Sequence, residues 1–238
     1  IDDRAVAVVV LQPHARLRDP GPMHPAATGM PRRLQLGHHP PRPDGRPPVD
    51  PQARGIAAGG GAIWVTSGDT GAVSRIDPST NEVVAAIEIG GSPAQVAAVE
   101  DAVWVTNRGS TVLTRIDPTT NSVAATVDVG CATIGLAADA AGTWAACENG
   151  PTLFRIDPAT NQVAAKIAIK SNSYGIALGS NTVWVTSDTH NTLTLVDPST
   201  NTVARVYKVG PGPVGVAADQ DAVWVAVRHE NKVWRVSP

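Results

Sequence analysis

The chain has 238 residues, a formal net charge of −2, and one Phe and two Tyr against six Trp. So balanced a charge gives no basic surface for nucleic acid or acidic lipid, and no apolar run is long enough to cross a membrane. The length is enough to bury a substantial core, and the surplus of Trp implies an assigned place for that side chain. Because Ile1 rather than Met comes first, any leader peptide is expected to be absent or already removed.

Residues 1–10, IDDRAVAVVV, match the end of later stretches such as VDPSTNTVARVYKV and are read as a closing strand that pairs with Lys232–Val236. Residues 11–53 are rich in Pro, Arg and His, lack strand-like alternation and read as an irregular segment. His14, His24, His38 and His39 lie there, but the density of Pro argues against a preorganised metal cage.

From residue 55 to 238 a repeat takes over. Trp64, Trp104, Trp144, Trp184 and Trp224 are evenly spaced, and Asp77, Asp117, Asp157 and Asp197 keep the same interval, as do Asn81, Asn121, Asn161 and Asn201. A period near 40 residues, held without insertion, signals a repeat architecture. Within one unit, Val96–Val99, Ala102–Asn107, Val112–Ile116 and Val123–Val129 alternate at period two and are separated by turn residues, which predicts four short antiparallel strands. Units of that kind are the blades of a β-propeller. The predicted fold is therefore all-β, with five clear blades. They stand beside a degraded sixth position, or they form part of a seven-bladed ring.

The phrase RIDPSTN, echoed as RIDPTTN, RIDPATN and LVDPSTN, is predicted to be a turn between the third and fourth strands. Asp accepts a backbone N–H two residues on, Pro presets φ, and Asn tolerates the left-handed backbone before the next strand. Catalysis has no use for one Asp repeated around a ring. Each repeated Trp sits mid-strand among Val and Ile, where it is predicted to fill the wedge between blades rather than to stack on a sugar or a quinone.

The unit GIAAGGGAIWVTSGDTGAVSRIDPSTNEVVAAIEIGG and its neighbour AVWVTNRGSTVLTRIDPTTNSVAATVDVG resemble the YVTN-type β-propeller repeat family and the related virginiamycin B (streptogramin) lyase-like propellers. The resemblance covers residues 55–238. It implies an extracytoplasmic or secreted bacterial protein that serves as a binding or sensor module. The second implication is an enzyme, a carbon–oxygen lyase that opens a cyclic depsipeptide by elimination with Mg2+.

Cys131 and Cys147 fall in one unit, and a hairpin turn near Ala141–Gly142 would bring both to the same end of the blade. A disulfide between them fits that geometry and the likeness to exported relatives; two free buried thiols are the alternative.

Function is expected where the units differ. The loops between second and third strands read SGDTG, NRGST, CENGP, SDTHN and VRHEN, and they share one face with the loops between blades. Arg108, Glu148, Asp188 and Arg228, each four residues past a Trp, are the candidate ligand-binding residues. His190, His229 and Glu230 are the candidate catalytic set, since His beside a carboxylate can move protons or help to hold a divalent ion. The expected partner is a small molecule, peptide or protein on this axial face, with the protein a monomer.

Overall fold

Short apolar alternation, interrupted every six or so residues by Gly, Asn or Asp-Pro, yields strands and leaves no room for a helix. The computed structural model describes residues 7–10, 52–170, 173–219 and 221–237. Residues 11–51, which hold nearly all of the expected irregular segment, lie outside the described residues. Residue 53 does not belong to that segment: Ala53 already opens a strand, because its backbone pairs with Ser67.

Ahead of the blades lies β1 (Ala7–Val10). Blade one comprises β2 (Ala53–Gly59), β3 (Ala62–Ser67), β4 (Ala72–Asp77) and β5 (Glu82–Glu88). Blade two comprises β6 (Pro93–Ala98), β7 (Val103–Asn107), β8 (Val112–Asp117) and β9 (Ser122–Asp128). Blade three follows with β10 (Thr133–Asp139), β11 (Gly142–Cys147), β12 (Thr152–Asp157) and β13 (Gln162–Ala168). In blade four are β14 (Ser173–Gly179), β15 (Thr182–Ser187), β16 (Thr192–Asp197) and β17 (Thr202–Lys208). The last blade has β18 (Pro213–Ala218), β19 (Val223–Val227) and β20 (Lys232–Val236), with β1 as its outer strand.

The fold is thus all-β, five antiparallel four-stranded sheets, as the repeat predicts. β1 lies antiparallel to β20, with Val8 opposite Trp234 and Val10 opposite Lys232. Inner strands of successive blades adjoin in order, but the five sheets do not close into a ring.

The joints between blades repeat one recipe. Trp64 with Val73 and Ile87 packs on Val96, Val103, Val105 and Ile116 of the next blade. Trp104, Trp144 and Trp184 do the same at the following joints. All four indoles are fully buried, which answers whether they are ligand platforms. They are wedge fillers.

Near the axis the inner strands run close enough to require glycine. A β-carbon on Gly55 would lie 2.5 Å from Ala94 O of the next blade. Thr66 Oγ1 accepts from Gly55 N at 2.8 Å and donates to Ala94 O at 2.7 Å, which ties the two inner strands together. Thr186 repeats the second bond to Val214 O at 3.0 Å.

The repeated phrase is a turn in all four complete units. Ser79 N, Thr119 N, Ala159 N and Ser199 N donate to the Asp two residues before at 2.7–2.8 Å. Each turn closes on an Asn with φ between 54° and 60°. The hydroxyl of Ser79 holds the Asp77 carboxyl below its ordinary value, and Thr119 N does the same for Asp117. A carboxylate with a depressed folded pKa stabilises above its unfolded pKa and loses that contribution as pH falls through the folded one. Asp117→Ala is therefore expected to lower the melting temperature by a few degrees at neutral pH. The gap from wild type should close below about pH 4, as urea midpoints across pH would record.

The phrase has a second use. Arg75 lies opposite Trp64 in the sheet register, its guanidinium 5.5 Å from the indole centroid. It donates to Pro118 O at 2.7 Å and Asn121 Oδ1 at 2.8 Å, on the turn of the next blade. Arg155 makes the same pair of bonds to Pro198 O at 2.7 Å and Asn201 Oδ1 at 3.1 Å. A bulge follows each of these two Arg, between Arg75 and Ile76 and between Arg155 and Ile156. Arg115 instead donates to Asp101 O at 3.2 Å, and the Asn161 Oδ1 it would have reached is buried without a partner. In blade four the position is Leu195.

Candidate functional site

Two sets of loops meet on one face. Backbone bonds join them in blades one, two, three and five: Gly68 N to Gln52 O, Arg108 N to Ser92 O, Glu148 N to Ala132 O and Arg228 N to Gly212 O, at 2.8–3.2 Å. These bonds place the residue four past the Trp of those blades at the lip of the face, with its side chain free to differ from blade to blade. The opposite face carries the Asp-Pro turns, which are nearly alike.

Among the predicted ligand-binding residues, the structure brings Asp188 and Arg228 together. Arg228 Nη2 lies 2.9 Å from Asp188 Oδ2, a charged hydrogen bond between blades four and five. Arg108 is exposed and Glu148 half-buried, each on its own blade. The face therefore offers separate cationic and anionic points plus one pre-formed pair.

The three predicted catalytic residues do not form one hydrogen-bonded set. His190 is exposed, its Nδ1 3.2 Å from Ser187 Oγ and 3.1 Å from Thr189 Oγ1. His229 is exposed in a single 3-10 turn, Arg228–Glu230. Glu230 accepts from Trp234 Nε1 at 3.4 Å and lies 3.5 Å from Lys232 Nζ. Among the described residues, no three His, Cys, Asp or Glu side chains come together to hold a metal ion. His190, His229 and Glu230 are thus not gathered as one set of metal ligands.

Cys131 and Cys147 are joined as a disulfide with Cα atoms 5.8 Å apart, so the alternative of two free thiols is set aside. The bond lies at the loop face, where Cys147 ends β11 opposite Thr133. It anchors the loop that carries Glu148.

Some contributors were not singled out by sequence. Asn107 Nδ2 donates to Gly90 O at 2.8 Å, and its Oδ1 accepts from Ser92 N, which fixes the loop between blades one and two. Lys208 Nζ donates to the His190 carbonyl at 3.3 Å. Asp128 accepts from Gly130 N at 2.9 Å, and its carboxyl is held below the ordinary range chiefly by the Thr111 hydroxyl. Asp128 and Lys208 share one repeat position with Glu88, the last of each fourth strand, so the varying charge there was the available signal.

No protein-family profile matches the chain, and no curated protein matches it in sequence. Solved structures do resemble it. Myxococcus xanthus glutaminyl cyclase matches with a TM-score of 0.51 at 12% identity, over 77% of this chain and 89% of that one. Kuenenia stuttgartiensis hydrazine synthase gives 0.50 at 12% identity, over 78% and 83%. Citrobacter koseri AztD gives 0.55 at 16% identity, over 70% of this chain and 49% of that one, so this likeness spans about half of AztD. At such identities the likeness is one of fold, and the class of protein it defines is a β-propeller-like repeat protein.

Proposed function

We propose that the chain is an extracytoplasmic propeller module that binds a small molecule, peptide or protein on its loop face. The observation that carries this reading is the contrast between two faces of one scaffold. One face repeats the same Asp-Pro turn, while the other presents Arg108, Glu148, the Asp188–Arg228 pair, His190 and His229 from successive blades. Repeat proteins place recognition where units differ. The Cys131–Cys147 disulfide supports a location outside the reducing cytoplasm, and the likeness of the repeat phrases to YVTN-type and streptogramin lyase-like propellers supports the same compartment. The lyase reading gains nothing from the geometry, because His190 and Glu230 engage separate partners and His229 lies exposed in its own turn.

A thermal-shift screen against small molecules and peptides tests the proposal. Compounds that raise the melting temperature of the wild type should lose most of that effect with Arg228→Glu, which sets two carboxylates side by side across blades four and five. Compounds that stabilise Arg228→Glu and Glu148→Lys as well as the wild type would place binding elsewhere.

A further inference from the structure

Blade one has half of a joint that nothing among the described residues fills. In blade two the equivalent surface, Val96, Val103, Val105 and Ile116, lies under Trp64 of the preceding blade, with Arg75 bonded to the turn at Pro118 and Asn121. Around a hollow of about 440 Å³ blade one has Ile56, Ile63, Val65 and Ile76 in the same register, with Val65 and Ile76 buried, and Pro78 and Asn81 also line it. Ile56 is 72% exposed, whereas Val96, its counterpart one repeat later, is 7% exposed. Among the described residues no guanidinium is bonded to Pro78 O or Asn81 Oδ1. At two of the chain's four joints the same pair of acceptors is met by a guanidinium from the preceding blade.

We propose that this face of blade one docks a polypeptide presenting an indole and a guanidinium opposite each other on two antiparallel strands. The occupant's chemistry follows from continuity with the chain's own joints. The indole would cover Ile56 and Ile63, and the guanidinium would donate to Pro78 O and Asn81 Oδ1, as Arg75 and Arg155 do at two of the chain's own joints. A second whole copy does present Trp224 under Arg235 on blade five. Yet doubling the five sheets would put more of them around one axis than the roughly four to eight that propellers hold. The occupant is therefore smaller than this chain, a hairpin or a few further units of the same repeat.

The test uses the full chain and a synthetic peptide of residues 62–77, which carries Trp64 and Arg75, with its ends cross-linked to hold the hairpin and a fluorescent label for anisotropy. Saturable binding with a Kd of about 0.1 mM or tighter is expected. Ile56→Asp, at a position exposed enough to spare folding, should weaken it at least about tenfold. Asn81→Gly keeps the left-handed backbone, φ 60°, while removing the acceptor. It should weaken binding about threefold to tenfold, as should Arg75→Lys in the peptide. Three results would overturn the proposal. One is no saturation below about 1 mM with a peptide shown by NMR to be a folded hairpin. Another is affinity indifferent to Ile56→Asp. The third is binding that appears only when residues 11–50 are deleted, or a mass that rises with protein concentration; the face would then belong to the chain itself or to a second copy.

Discussion

Trp104→Ala is expected to cost about 3–5 kcal/mol, which removes an indole that is 0% exposed from the joint between blades two and three. For a chain of this size the melting temperature should fall by about 6–20 °C. Trp224→Ala offers the internal control, because the same side chain at the same repeat position is only half-buried. Its cost should be less than half as large. Equal losses at the two sites, read as urea midpoints, would mean that the strand position and not the blade joint sets the role of this residue. A loss at Trp104 much below about 2 kcal/mol would mean that the joint collapses to fill the space.

Reduction of the Cys131–Cys147 disulfide is the second large effect expected. The bond closes a loop with a sequence separation of 16, and the chain-entropy estimate for a loop of that size is about 3 kcal/mol. A reducing agent should lower the urea midpoint by about 1 M or more. Protein from an oxidising compartment should show no free thiol in denaturant. Two reactive thiols per chain there would remove both the bond and its support for export. The loop with Glu148 sits directly after Cys147, so reduction should also soften that part of the loop face first.

The blades are legible in the sequence itself. Their determinants are local. Trp64 in AIWVT and Asp77 in RIDP act through period-two alternation and hydrogen bonds two residues away, and a constant interval announces the repeat. The disulfide was within reach for the same reason, since both Cys lie in one hairpin. What escaped depends on the angle between sheets. Arg75 belongs to a phrase read only as a turn, yet its acceptor Pro118 O lies 43 residues on, in another blade. Arg108, Glu148, Asp188 and Arg228 could be named from their place after Trp, but not which of them meet. Asp188 reaches Arg228 because blades four and five bring those two loop ends within 2.9 Å. His190 and Glu230 hold one repeat position on neighbouring blades, and each has partners closer in sequence: Ser187 and Thr189 for His190, Lys232 and Trp234 for Glu230.

Whether recognition belongs to the loop face is tested most directly by comparing two substitutions on opposite faces of the scaffold. Take any compound that stabilises the wild-type protein and measure its affinity, by calorimetry, for Arg228→Glu and for Asp117→Ala. The loop-face account predicts that Arg228→Glu weakens binding at least about tenfold with a small change in melting temperature, while Asp117→Ala lowers the melting temperature and leaves affinity unchanged. Unchanged affinity in Arg228→Glu together with lost affinity in Asp117→Ala would contradict it, and would move the binding surface to the repeated turns.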